Sequence, residues 1–149
     1  MKAPEFNLLD QNGDAHTLSQ YLGQFVLLYF YPKDDTPGCT IEACSFRDNL
    51  SELKKLNVVV LGASGDDVDS HGKFVKKFDL NFPLLADTDH KVGEVYSVYG
   101  EKSMFGKLFM GYKRHSFLIN REGDIVKHYE NVKPEEHVAE IIADVKQYA

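Results

Sequence analysis

Two hydrophobic periods alternate along this chain, and the switches between them predict its elements. Phe25–Tyr31 is apolar or aromatic at every position, as in a strand buried on both faces. Pro32 ends it. Ala43, Phe46, Leu50 and Leu53 then recur at helical spacing, which predicts a helix from Pro37 to about Leu56. Thr36 stands at its N-cap and Pro37 at the first helical position. Val58–Ala63 is a second buried strand. Strand, helix and strand in this order predict a parallel pair with a right-handed crossover.

The same patterning extends to both ends. Phe6-Asn7-Leu8-Leu9 and His16-Thr17-Leu18 flank Gln11-Asn12-Gly13-Asp14 and predict a hairpin on a tight Asn-Gly turn. Ser19–Leu22 forms a short helical turn closed by Gly23. Asp67–Phe78 carries Val68, Phe74, Val75 and Phe78 on one helical stripe. Leu84-Leu85 is a short strand, and Asp89 caps a helix containing Val92, Val95 and Tyr96. His115–Asn120 and Ile125–Tyr129 flank Arg121-Glu122-Gly123-Asp124 and form a second hairpin. A last helix starts near Pro134 and presents Val138, Ile141, Ile142, Val145 and Tyr148. Gly100–Lys113, rich in Gly, Phe and Met, fits neither period and is expected to be a loop near the site or a partner surface. The element order implies an α/β sandwich.

Composition narrows the picture. The 149 residues are 43% hydrophobic and 12% aromatic, ordinary for one globular domain over 1–149. No apolar run approaches the length that spans a bilayer. The first residues lack the apolar stretch of a secretory signal, so a cytoplasmic location is expected. The net charge of −6, with no clustered basic residues, argues against a nucleic-acid partner.

The two cysteines carry the candidate chemistry. Cys39 lies at the third position of the predicted helix, facing its unpaired N–H groups and its positive dipole end. A thiol there ionises more easily than the free side chain. Asp34 and Asp35 oppose that ionisation, so a cation is needed. Arg114, at the start of the His115 strand, is the first candidate and Lys33 the second; Arg47 lies two turns further along the helix. Pro37-Gly38 leaves room for a ligand to approach. Thr36 can cap the helix and also offer its hydroxyl.

Cys44 is constrained by geometry. Residues five apart in a helix differ by about 7.5 Å of rise and about 140° of rotation, placing their Cα atoms roughly 8.7 Å apart. A disulfide needs less than about 7 Å. Either Cys44 is structural, or it reacts with Cys39 only after the first turns unwind. A metal site is disfavoured, because the C-x4-C pair lacks a second pair and the six histidines are scattered.

Pro32-x-x-x-Thr36-x-x-Cys39 resembles the active-site signature of the peroxiredoxins. The run from Phe30 to Cys44 is similar to the bacterioferritin comigratory protein (peroxiredoxin Q) branch. So are Gly62-Ala63-Ser64, Phe82-Pro83-Leu84-Leu85-Ala86-Asp87, Tyr99-Gly100-Glu101-Lys102 and Arg114-His115-Ser116-Phe117-Leu118-Ile119. The resemblance implies a thioredoxin-like fold, with a central mixed sheet flanked by helices and an N-terminal β-hairpin extension. It implies reduction of hydrogen peroxide and organic hydroperoxides without cofactor or metal. In that pattern Cys39 is the peroxidatic cysteine and Cys44 the resolving one. Thr36 and Arg114 position the peroxide, and Pro32 shields the pocket. An intrachain disulfide recycled by a thioredoxin-type dithiol, in a monomer, is also implied. The rival functions are a thioredoxin-type disulfide oxidoreductase, disfavoured because no C-x-x-C pair exists, and a non-enzymatic redox sensor.

Overall fold

The computed structural model describes residues 1–148. Its elements are β1 (Asn7–Leu9), β2 (Ala15–Thr17), β3 (Phe25–Phe30), α1 (Pro37–Lys55), β4 (Val58–Ser64), α2 (Val68–Phe78) and β5 (Leu84–Ala86). They continue with α3 (Lys91–Val95), β6 (Tyr99–Met104), β7 (Lys107–Tyr112), β8 (Ser116–Ile119), β9 (Ile125–Tyr129) and α4 (His137–Tyr148). Seven strands form one mixed sheet in the order β2-β1-β5-β4-β3-β8-β9. β3 runs parallel to β4 and antiparallel to β8. The expected crossover through α1 therefore joins neighbouring parallel strands.

The uninterrupted apolar run of β3 has a direct cause, because both of its faces are covered. Phe25, Leu27, Tyr29 and Tyr31 point into one core layer with Phe46, Leu50 and Leu53 of α1, Phe74 of α2, and Val138, Ile141 and Val145 of α4. Val26, Leu28 and Phe30 point the other way, toward Tyr96, Val98, Tyr112 and Phe117. Side chains alternate across a strand, so one sequence segment supplies the centre of both layers.

The structure refines several local expectations. Gly100–Lys113 is not a loop: β6 and β7 pair antiparallel from Tyr99↔Tyr112 to Met104↔Lys107 in a separate two-stranded sheet. Its Gly and Met residues obscure the alternation, and Gly106 takes the positive φ that the turn needs. The first hairpin does not turn on two residues. Asp10 instead accepts the backbone N–H groups of Asn12 and Asp14 with one carboxylate oxygen, spreading the turn over five residues. The hairpin extends the central sheet at its edge, where β1 pairs with β5. The third helix starts after His90, which adopts a left-handed conformation. Asp89 accepts the N–H of Lys91 at 3.1 Å, as expected of a cap, and buried Asp87 accepts the next two first-turn N–H groups, from Val92 and Gly93. α4 begins at His137, with Pro134 in the preceding turn.

Candidate active site

α1 follows β3 after a loop of six residues and delivers Cys39 to the carboxyl end of the central strand. Thr36 occupies the N-cap with extended backbone angles, and its carbonyl accepts the N–H of Thr40 at 2.8 Å. Its hydroxyl does not cap the helix. It donates to the Lys33 carbonyl at 2.8 Å, because the loop folds that carbonyl back beneath it. The N–H groups of the first turn thus gain nothing from the Thr36 side chain and stay available to charge near Cys39.

Cys39 is buried, and both cysteines are free thiols. The Arg114 guanidinium donates from Nη2 to Cys39 Sγ at 3.4 Å and from Nη1 to Glu42 Oε1 at 3.0 Å. Arg114 precedes β8, which pairs with β3, so sheet register brings the guanidinium over the start of α1. The expected cation is therefore in place. The alternatives lie elsewhere: Arg47 donates to the Phe78 carbonyl and to Asp48, and Lys33 is exposed.

Gly38 has a more specific role than making room for a ligand. A Cβ built there would stand 2.9 Å from Arg114 Nη2, so the missing side chain lets the guanidinium reach the sulfur. Asp34 and Asp35 also differ from expectation. Asp34 accepts from the Tyr31 hydroxyl at 2.6 Å, from Ser70 at 2.8 Å and from His71 at 2.7 Å. Asp35 pairs with Lys77 at 2.7 Å. Both carboxylates find their partners away from Cys39, and the Asp34 cluster ties the loop to α2. Backbone N–H of Asp34 donates to Asp66 at 2.8 Å, tying the same loop to the end of β4.

The acid beside the sulfur is Glu42, which the sequence reading passed over. It is fully buried, one turn from Cys39 on the same face of α1. Its Oε2 has no partner among the described residues, and neither does the buried Tyr29 hydroxyl. Burial raises the Glu42 carboxyl to about 7, against the pull of Arg114. The i, i+3 spacing from Cys39 was the available signal. Burial also raises the Tyr29 hydroxyl well above its ordinary range, with Glu42 and Cys39 adding to the effect. Lys102 of β6 donates to the Tyr112 carbonyl at 2.7 Å. Burial lowers its ammonium pKa, Arg114 lowers it further, and the Cys39 sulfur opposes the shift. The β6–β7 hairpin therefore stands near the site, one of the two places expected for this segment.

Pro32 is half-buried just after β3, and Cys44 is partly exposed on the unbroken helix α1. Nothing here supplies a C-x-x-C pair for disulfide exchange. Asp34, Asp66 and His71 bring donor atoms close together, but each of these groups is already hydrogen-bonded within the protein.

Comparison with known proteins gives a consistent result. Residues 1–128 match the AhpC/TSA family. The chain is 46% identical to peroxiredoxin Bcp of Bacillus subtilis over 145 residues, covering 97% of this chain and 92% of that protein. It is 46% identical to peroxiredoxin Bcp of Escherichia coli K12 over 147 residues, covering 99% and 94%. Among solved structures, the Xanthomonas campestris bacterioferritin comigratory protein, studied for alkyl peroxide reduction, superposes with a TM-score of 0.90 at 36% identity, covering 96% of this chain and 91% of that one. Peroxidoxin BcpB of Mycobacterium tuberculosis superposes with a TM-score of 0.88 at 31% identity, covering 100% and 96%. The fold is thioredoxin-like, as the resemblance implied.

Proposed function

This chain belongs to the AhpC/TSA family and is a peroxiredoxin, a thiol-dependent peroxidase; from that premise we propose the part that each site residue plays in reducing hydrogen peroxide and alkyl hydroperoxides. Cys39 is the nucleophile. One observation carries the assignment: its buried sulfur meets a guanidinium at the first turn of a helix. Dipole and cation both favour the thiolate.

The thiolate attacks the terminal peroxide oxygen. A sulfur–oxygen bond forms, the O–O bond breaks, and water or an alcohol departs once protonated. Arg114 and the first-turn N–H groups stabilise the negative charge that develops on the leaving oxygen. The Thr36 hydroxyl spends its proton on the Lys33 carbonyl, so its lone pairs are free to accept the peroxide O–H. That orients the substrate for in-line attack. Pro32 shields the pocket from water on the β3 side.

Cys39 leaves this step as a sulfenic acid, and Cys44 condenses with it to an intrachain disulfide. A thioredoxin-type dithiol then restores both thiols by exchange. Both cysteines lie on one helix of one chain, so a monomer completes the cycle. The whole chain acts as one domain, in the cytoplasm.

Single-turnover oxidation followed by mass spectrometry tests these roles. Cys39→Ser abolishes peroxide turnover. Cys44→Ser reacts once and accumulates one added oxygen on Cys39. A Cys39→Ser chain that still consumed peroxide at close to the native rate would end the nucleophile assignment. Absence of the oxygen adduct in Cys44→Ser would remove Cys44 from the resolving role.

A further inference from the structure

One guanidinium faces two acids at this site. Arg114 reaches Cys39 with one terminal nitrogen and Glu42 with the other. Were both acids ionised, two negative charges would share a single buried cation, and Glu42 Oε2 would be an unpartnered anionic oxygen at 0% exposure. Unpaired buried charge is costly. Among the described residues no second cation is in contact with Glu42. Tyr29 from β3 is uncharged, its hydroxyl raised well above the ordinary range by burial. Lys102 from β6 is directed to the Tyr112 carbonyl. From α4, His137 is directed to Ser116 and Glu140.

We propose that Glu42 stores the proton that peroxide reduction consumes, so that Arg114 always has one anionic partner: the Cys39 thiolate before oxidation and the Glu42 carboxylate after it. The inference rests on Cys39 being the nucleophile. Thiolate, protonated Glu42 and hydroperoxide give sulfenic acid, ionised Glu42 and alcohol. Sulfur loses two electrons to the O–O bond, and the attacked oxygen keeps its own proton. The leaving oxygen gains a proton, and Glu42 gives one up. The net charge of the site is the same on both sides. Condensation with Cys44 releases water and leaves the proton balance unchanged. Reduction by a dithiol supplies two electrons and two protons; one proton returns to Cys44 and the other to Glu42, while Cys39 re-emerges as thiolate.

Burial raises the Glu42 carboxyl to about 7, in keeping with a group that changes protonation near neutrality. The charge on the neighbouring sulfur then decides which form it takes. With the thiolate present, a second anion on Arg114 is disfavoured; once the sulfur is neutral, the guanidinium is free to pair with Glu42.

The experiment uses the full chain with Cys44→Ser, which stops the cycle at the sulfenic acid. Reduced protein near neutral pH receives one equivalent of hydrogen peroxide while infrared difference spectra are recorded. The expected result is loss of a protonated-carboxyl stretch and gain of a carboxylate band, in step with sulfenic acid formation. The same chain carrying Glu42→Gln shows neither change. Mass spectrometry on the same samples reports the oxygen on Cys39. Sulfenic acid formed with no carboxyl change overturns the proposal and leaves the nucleophile standing. A carboxyl change that persists in Glu42→Gln overturns it as well. A Cys39 that gains no oxygen brings down both proposal and nucleophile.

Discussion

At Gly38 a single methyl group would crowd the Arg114 nitrogen that reaches the sulfur. Gly38 does not adopt a positive φ, so alanine fits its backbone, but the added Cβ would fall 2.9 Å from Nη2. Gly38→Ala therefore separates stability from activity. The helix gains up to about 1 kcal/mol from the better helix former. Peroxide reactivity falls by roughly tenfold to a hundredfold, below the roughly 10²–10³ for deleting a preorganised donor outright. Urea melts and stopped-flow peroxide oxidation check the two halves. A variant as fast as the parent would show that the guanidinium need not touch Cys39. Glu42 illustrates the same scale from the other side, since its effect arises from one buried oxygen without a partner.

α1 serves three purposes at the scale of an element. Its first turn polarises Cys39, its buried stripe carries Phe46 against Tyr29 and Phe82, and its second turn carries Cys44. The last two conflict with disulfide formation. An intact helix holds the two Cα atoms roughly 8.7 Å apart, too far for a bond. The first turns are the part able to open, because local openings cost less than global unfolding and Gly38 weakens that end. Phe46, Leu50 and Leu53 are 5% exposed or less and anchor the remainder. Amide hydrogen exchange over residues 37–44 should therefore rise by at least tenfold in the disulfide form, with Phe46–Lys55 protected as in the reduced form. Native protection at Thr40–Cys44 in a protein whose disulfide is proved by mass would exclude unwinding.

The stability of the whole molecule carries the signature of Glu42. A carboxyl raised on folding means that the native state binds the proton more tightly than the unfolded chain does. Its contribution to stability is complete below the ordinary value of 4.5 and is lost as pH climbs from there to about 7. The loss is on the order of 3 kcal/mol. Denaturant unfolding of the reduced protein at several pH values should show this decline, and Glu42→Gln should flatten it. An equal slope in both proteins would mean that the carboxyl is not raised. Lowered acids such as Asp10 and Asp144 act in the opposite sense and at lower pH, so they do not imitate it.

The sequence alone determined the strands and helices of the central unit and the position of Cys39, the candidate nucleophile. Those depend on neighbours in the chain: Pro32 stops β3, Thr36-Pro37 starts α1, and Cys39 follows within the first turn. The rigid geometry of that helix also settled that Cys39 and Cys44 cannot bond without a change of shape. Arg114 was named from the sequence, but its contact spans 75 positions and exists only because β8 pairs with β3. Tertiary structure alone made Glu42 an unusual acid, since burial rather than residue type sets its ionisation. It alone turned the Thr36 hydroxyl away from capping, matched Asp34 to His71, and revealed β6 and β7 in a stretch whose glycines obscure the alternation. Local periodicity reports which face of an element is apolar; only packing decides which charges end up in each other's company, and how far from water.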